Sequence, residues 1–227
     1  MSKPRKSKSN TCVIIDAAHG ANVPGKGSPY SLNSVPPHLE FREYLWSREI
    51  CCMLAAELEK IGLEVVFTVT GDDEPGLLYR YMVANNHINQ HPDMHHIFVS
   101  IHANAAGNGK KWCNARGWCA FTTKGNNNSD KLAECLYETM EYCSRGTDIK
   151  IRTDKSDGDS DYEANFAVLK GVKCPAVLTE NLFQDNEDDV RLLLNPDIKK
   201  LIVQAHVLGI CRFIGDMGWS EPPKNLE

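Results

Sequence analysis

Apolar positions along the chain fall into two alternating kinds of run. Short, continuous, β-branched runs read as buried strands, and longer stretches with apolar residues three or four apart read as helices. The first strand is Thr11 to Asp16, followed by Ala17-Ala18-His19-Gly20. Residues 21–42 are rich in Gly, Pro, Ser and Asn and read as one long loop, a length that in a compact domain is usually functional or disordered. From Glu43 to Ile61 the pattern turns helical, with Leu45, Ile50, Met53, Leu54, Leu58 and Ile61 assigned to one face and Gly62 as the stop. Leu63 to Val69 alternates as a strand. Pro75 opens a helix that carries Leu77, Leu78, Tyr81, Met82 and Ala84 to about Asn89.

A further strand covers about 95–103 and ends in Ser100-Ile101-His102-Ala103-Asn104. After a polar loop at 104–116, Gly117 to Thr122 is a strand, Asn126 to Ser129 a turn with a helix cap, and about 130–144 a helix. Residues 146–163 read as a charged loop, Phe166 to Leu169 as a short strand and Pro175 to Glu180 as another. Helices at about 187–193 and 197–215 close the pattern. Strands alternating with helices predict a single α/β domain, with a twisted, mostly parallel sheet of about six strands flanked by helices. The domain is expected over 11–216, between a basic tail at 1–10 and a C-terminal tail at 217–227.

Composition narrows the function classes. At 227 residues and 42% hydrophobic content, one full core is affordable. The net charge of −5 hides an asymmetry, because Lys3, Arg5, Lys6 and Lys8 sit in a leader without acids. Without them 21 basic residues face 30 acidic ones, so the body is acidic and nucleic acid is not an expected partner. The leader reads as a solvated tail. The nine cysteines are odd in number, form no C-x-x-C pair and mostly lie in apolar runs, as free thiols in a reducing compartment do. Cys113 and Cys119 flank a loop where pairing or metal binding is the alternative. Val13-Ile14-Ile15 is too short for a secretory h-region, and no run approaches the roughly twenty apolar residues of a membrane span. The expectation is therefore a protein made in the cytoplasm without stable membrane association; its oligomeric state is not legible.

Three strand ends carry ionisable residues: His19, His102 and Glu180. In open α/β sheets ligands gather at the carboxyl ends of strands. A fourth carboxylate at the loop-to-helix junction is Glu40 or Glu43, and the pattern does not choose between them. Two histidines and a carboxylate are a catalytic zinc ligand set, with a further carboxylate free to move protons. The competing reading is a set of hydrogen-bonded structural residues, and spacing alone leaves both open. His91, His95 and His96 precede a strand and read as a solvated connection. His38 falls in the Pro-rich loop as a possible cleft residue, and His87 and His206 fall in helices as structural or surface residues.

These motifs together resemble the zinc-dependent N-acetylmuramoyl-L-alanine amidases of the Amidase_3 type, including those of phage endolysins. Asp16-Ala17-Ala18-His19-Gly20 is similar to that family's Asp-Pro-Gly-His-Gly turn, with Ala17-Ala18 as the departure. Glu43, nineteen residues before Gly62, matches the family's helix-opening glutamate, which favours it over Glu40. Ser100 to Asn104 and Pro175 to Glu180 match two further motifs, and the resemblance covers about residues 11–215. It implies a phosphorylase/hydrolase-like fold, Zn2+ held by His19, Glu43 and His102, and Glu180 as the proton-transferring residue. It implies peptidoglycan as substrate, cleaved between N-acetylmuramic acid and L-alanine. Asn104, Arg152 and Asn165 are expected to contact substrate, and loops 21–42 and 104–116 to form the cleft walls. The setting that fits is a cytoplasmically made, bacteriolytic endolysin released to the cell wall, with an exported effector as the alternative. A zinc carboxypeptidase acting within the stem peptide, or a non-catalytic wall-binding module, are the rival functions.

Overall fold

A computed structural model describes residues 10–29 and 39–219. His38, the four basic residues of the leader and residues 220–227 lie outside the described residues. Six strands form one sheet: β1 (Thr11–Ala17), β2 (Glu64–Phe67), β3 (His95–Asn104), β4 (Cys119–Thr122), β5 (Tyr162–Glu163) and β6 (Ala176–Phe183). Their order is β2-β1-β3-β6-β4-β5, and every pairing is parallel except that of β4 with β6. The helices are α1 (Glu43–Lys60), α2 (Leu77–Gln90), α3 (Asn128–Cys143), α4 (Ala167–Gly171), α5 (Glu187–Leu194) and α6 (Pro196–Asp216). None among the described residues is long and apolar enough to cross a membrane.

The central strands carry continuous apolar runs because both faces of the sheet are covered. Val13, Ile15, Ile97, Val99 and Val177 pack toward α1, α3 and α6, while Cys12, Ile14, Phe98 and Leu178 pack toward α2 and α4. Helix α1 docks through Trp46, Ile50, Cys51, Leu54, Ala55 and Leu58. Gly62, at φ +94, then turns the chain into β2 in a conformation that L side chains rarely adopt. Asn127 caps α3 by accepting from Ser129 N, and Asp130 answers from the first turn in a capping box.

Two expectations about the elements need correction, one in α1 and one at the sheet edge. Leu45 is 54% exposed rather than inward. It lies nine residues before Leu54, which at 3.6 residues per turn places it on the opposite side of α1, about 180° away. Phe166 to Leu169 is not a strand: Phe166 is the N-cap of α4, and the edge place beside β4 is taken by β5, inside the stretch read as a loop. Leu77, Leu78 and Met82 of α2 are exposed, whereas Arg80 is buried at 2%. At the margins, Asn10 donates from Nδ2 to Asp93 O at 2.6 Å, and Trp219 stacks on His95 with centroids 4.4 Å apart, so both pack on the domain. The nine cysteines are free, Cys113 and Cys119 included.

Candidate metal centre

The site lies beyond β1, near the carboxyl end of β3 and beside Glu180 within β6, the three central strands. The last residue but one of β1 is a buried acid, Asp16, rather than another apolar residue. Its Oδ2 accepts from Ser100 Oγ at 2.6 Å and its Oδ1 accepts from Thr68 Oγ1 and from Arg80 Nη1, the latter at 2.9 Å. Arg80 continues past Asp16 to the backbone beyond, donating to Ala17 O and, at 3.3 Å, to His19 O. Arg48 of α1 donates to Ala18 O and His19 O, both at 3.0 Å. Two guanidinium groups thus clamp the carbonyls that precede the ring of His19. The clamped backbone places His19 at φ +44, sparsely populated for a non-glycine residue and sustained only where surroundings over-determine it. Gly20 follows because a Cβ there would stand 2.1 Å from Glu74 N.

Glu43 is the first residue of α1 and is 1% exposed. Its Oε1 lies 3.1 Å from His102 Nδ1 and accepts from Ala103 N at 3.1 Å. Its Oε2 lies 3.5 Å from His19 Nε2 and has no hydrogen-bond partner among the described residues. The rings of His19 and His102 meet edge to face, 5.0 Å between centroids. One donor atom from each of His19, Glu43 and His102 lies within 4.8 Å of the other two, so the group could hold a metal ion. The orphaned Oε2, buried and facing an imidazole, is what a cation at the centre of this donor set would satisfy.

The two histidines are shifted in opposite directions. Burial pushes the His19 imidazole down to about 4, against the pull of Glu43, so the ring is neutral and its lone pair is free for a metal. Burial would raise Glu43, but the hydrogen bond and charge of His102, with His19 and Lys26, hold its carboxyl below the usual range. His102 is raised, the penalty of burial being overcome by Glu43 and then Glu180.

Glu180 stands directly across from His102 in the β3–β6 register, so the two side chains leave the same sheet face from neighbouring strands. Burial, then opposed by His102 and reinforced by Glu43, pushes its carboxyl up to about 7, and its Oε2 has no partner among the described residues. The site opens into a cavity of about 420 Å³ whose wall includes Val23, Lys26, Leu77, Phe166 and Leu178. That is a volume suited to a small ligand or one segment of a larger one.

The wall differs from expectation in part. The loop at 21–42 contributes through Val23 and Lys26, but 104–116 does not reach the cavity. It is tied instead to the turn after β6, where Asp185 accepts from Ala106 N and Gly107 N and Asn186 Nδ2 donates to Cys113 O at 2.9 Å. Asn104, Arg152 and Asn165 are not on the cavity wall either. Asn104 Nδ2 reaches Cys119 Sγ at 3.9 Å, the Arg152 guanidinium sits 5.0 Å over the Phe183 ring, and Asn165 is exposed beside Phe166. His95 and His96 belong to β3 rather than to a solvated connection, and His96 Nε2 lies 3.2 Å from His87 Nδ1. His206 is buried, with its ring between Thr179 Oγ1 at 3.0 Å and Ile202 O at 2.7 Å. Arg80, Arg48 and Lys26 carried no sequence signal, since an isolated cation in a helix or loop reads as a solvated one.

The Amidase_3 family, described as N-acetylmuramoyl-L-alanine amidase, matches residues 13–212. An endolysin of Bacillus phage SPP1 is 30% identical over 131 residues; the match covers 56% of this chain, and the chain spans 45% of that relative. Among solved structures, an N-acetylmuramoyl-L-alanine amidase from Clostridium difficile 630 superposes with a TM-score of 0.70 at 25% identity, over 92% of this chain and 98% of that one. The amidase AmiC2 of Nostoc punctiforme shares the fold with a TM-score of 0.70 at 23% identity, over 92% and 99% of the two chains.

Proposed function

The chain belongs to the Amidase_3 family of N-acetylmuramoyl-L-alanine amidases, and from that premise we propose that it hydrolyses the amide between the lactyl group of N-acetylmuramic acid and L-alanine in peptidoglycan. His19, Glu43 and His102 hold Zn2+, and Glu180 is the catalytic proton carrier. The observation that carries this reading is the convergence of the three donors within 4.8 Å beside an unligated carboxylate at Glu180. When bound, zinc supplies Lewis-acid polarisation of a carbonyl and lowers the pKa of water from about 16 to about 7.

The chain's own residues do the rest. Glu43, whose Oε1 lies 3.1 Å from His102 Nδ1, neutralises cationic charge that would otherwise be buried alone. Glu180, with its carboxyl pushed up to about 7, takes a proton from the attacking water and delivers it to the departing amide nitrogen. A carboxyl poised near the working pH suits both halves of that transfer. The water oxygen ends on the lactyl carbonyl carbon, the C–N bond breaks, and a carboxylate and a free amine remain. Val23, Leu77, Phe166 and Leu178 give the cavity wall an apolar part against which substrate can pack. The similarity to a phage endolysin supports a bacteriolytic role at the cell wall.

Mass spectrometry of digested, purified peptidoglycan tests the reaction. Intact stem peptides with a new N-terminal L-alanine are expected. Stems shortened at their C-terminus would instead make the enzyme a carboxypeptidase.

A further inference from the structure

A second group of acids lies at the far edge of the sheet, away from the cavity. The sequence before β5 alternates acids as Asp157-Gly158-Asp159-Ser160-Asp161. The structure brings Asp159 and Asp161 against Asp130 in the first turn of α3, with one oxygen from each within 4.8 Å of the others. Asp161 is 1% exposed and Asp130 6%. None of the three forms an ion pair with Lys or Arg among the described residues.

Their hydrogen bonds leave a deficit. Thr122 Oγ1 touches Asp161 Oδ2 at 2.6 Å and Asp130 Oδ1 at 3.0 Å, yet a hydroxyl has one proton to give. The other Asp130 oxygen accepts from Asn127 N in the cap of α3. Asp161 Oδ1 and Asp159 Oδ1 are buried and face each other with no hydrogen-bond donor for either among the described residues. Burial, with Asp159 and Asp130 beside it, pushes the Asp161 carboxyl up to about 7, which is how uncompensated negative charge shows itself. Glu134 adds acid nearby and accepts from Ser160 N at 2.6 Å.

We propose that Asp130, Asp159 and Asp161 form a binding site for a calcium ion that clips the loop before β5 to the start of α3. The donors are all carboxylate oxygens, which select a hard cation over a transition metal. Calcium binds oxygens at about 2.3–2.6 Å, so two ligands on opposite sides of it stand up to about 5 Å apart, and the three oxygens here lie within that limit. The bound ion would order residues 153–161, the segment that follows Arg152, and would secure β5 as the short edge strand beside β4.

The test uses the full chain, zinc-saturated and dialysed into calcium-free buffer at neutral pH. Calcium at about 100 times its dissociation constant is expected to raise the melting midpoint by about 5–10 °C and to slow proteolysis within 153–161. Terbium is expected to bind with luminescence sensitised by the adjacent Tyr162, and calcium to displace it. Asp161→Asn and, separately, Asp159→Asn each lower calcium affinity at least about tenfold, and Asp161→Asn melts no lower than the wild type when calcium is absent. No midpoint shift and no displaceable terbium signal on the wild-type chain overturns the proposal, as does undiminished calcium affinity in both variants. A midpoint that ignores calcium but falls as pH rises through 7 would identify a shared proton in place of the ion.

Discussion

Replacing Arg80 by methionine probes the support beneath the proposed metal centre. Arg80 is 2% exposed and pairs with Asp16 at 2.9 Å and with Glu74 at 2.9 Å. Methionine keeps most of the stem packing and removes the charge. Breaking a buried pair by deleting one partner costs about 3–5 kcal/mol, because the other charge stays buried. Asp16 would still accept from Ser100 and Thr68, which places the loss toward the lower end. Ala17 O and His19 O also lose a donor, adding about 1 kcal/mol. The expected total is about 3–5 kcal/mol, a fall in melting midpoint of roughly 6–20 °C for a chain of this size. With Ala17 O left without its guanidinium and His19 O held by Arg48 alone, the turn loosens around His19 at φ +44, and zinc affinity falls about 10–100-fold. Urea unfolding measures the first effect and a competitive chelator titration the second. Asp16→Asn in the Arg80→Met background should recover at least about 1 kcal/mol, since the stranded charge is then gone. A loss below about 1 kcal/mol with unchanged zinc affinity would refute the reasoning.

Two further outcomes follow from the same physics. Gly20→Ala forces a Cβ to within 2.1 Å of Glu74 N and 2.5 Å of Asp73 C, both backbone atoms, so the turn must move; a loss of about 1–3 kcal/mol and of bound zinc should appear in thermal melts and elemental analysis. Burial lowers His206 from 6.5 to about 4, so the fold holds it neutral while the unfolded chain protonates. Its contribution is complete above about pH 6.5 and is lost as pH falls toward 4, about 3 kcal/mol in all. Urea unfolding across that range should show the slope in the wild type, and His206→Leu should show a constant offset without that part of the slope.

Much of the site was legible because chemistry sits where strands stop. His19, His102 and Glu180 each come shortly after a mostly apolar run, where an ionisable residue stands out, although β6 continues past Glu180 to Phe183. Glu43 was different: Glu40 and Glu43 share a loop-to-helix junction, and only the family resemblance preferred one. The structure adds the physical reason, since Glu43 opens α1 with its carboxylate against His102. Arg80 was illegible because periodicity assigns inward places to apolar residues. In α2 a buried ion pair inverts that rule and leaves Leu77, Leu78 and Met82 outside. Phe166 to Leu169 failed for another reason, as four apolar residues are too few to distinguish a strand from a single helical turn. The contacts of Asn104 and Arg152 depend on where β4 and β6 meet, a long-range pairing that no local pattern encodes.

The assignment of metal and proton roles is tested most directly by zinc content and peptidoglycan hydrolysis measured together on Glu180→Ala and His102→Ala. Glu180→Ala should keep about one zinc per chain and lose activity by about 10²–10⁴-fold, while His102→Ala should lose both. Zinc lost from Glu180→Ala, or hydrolysis retained by it, would contradict the account.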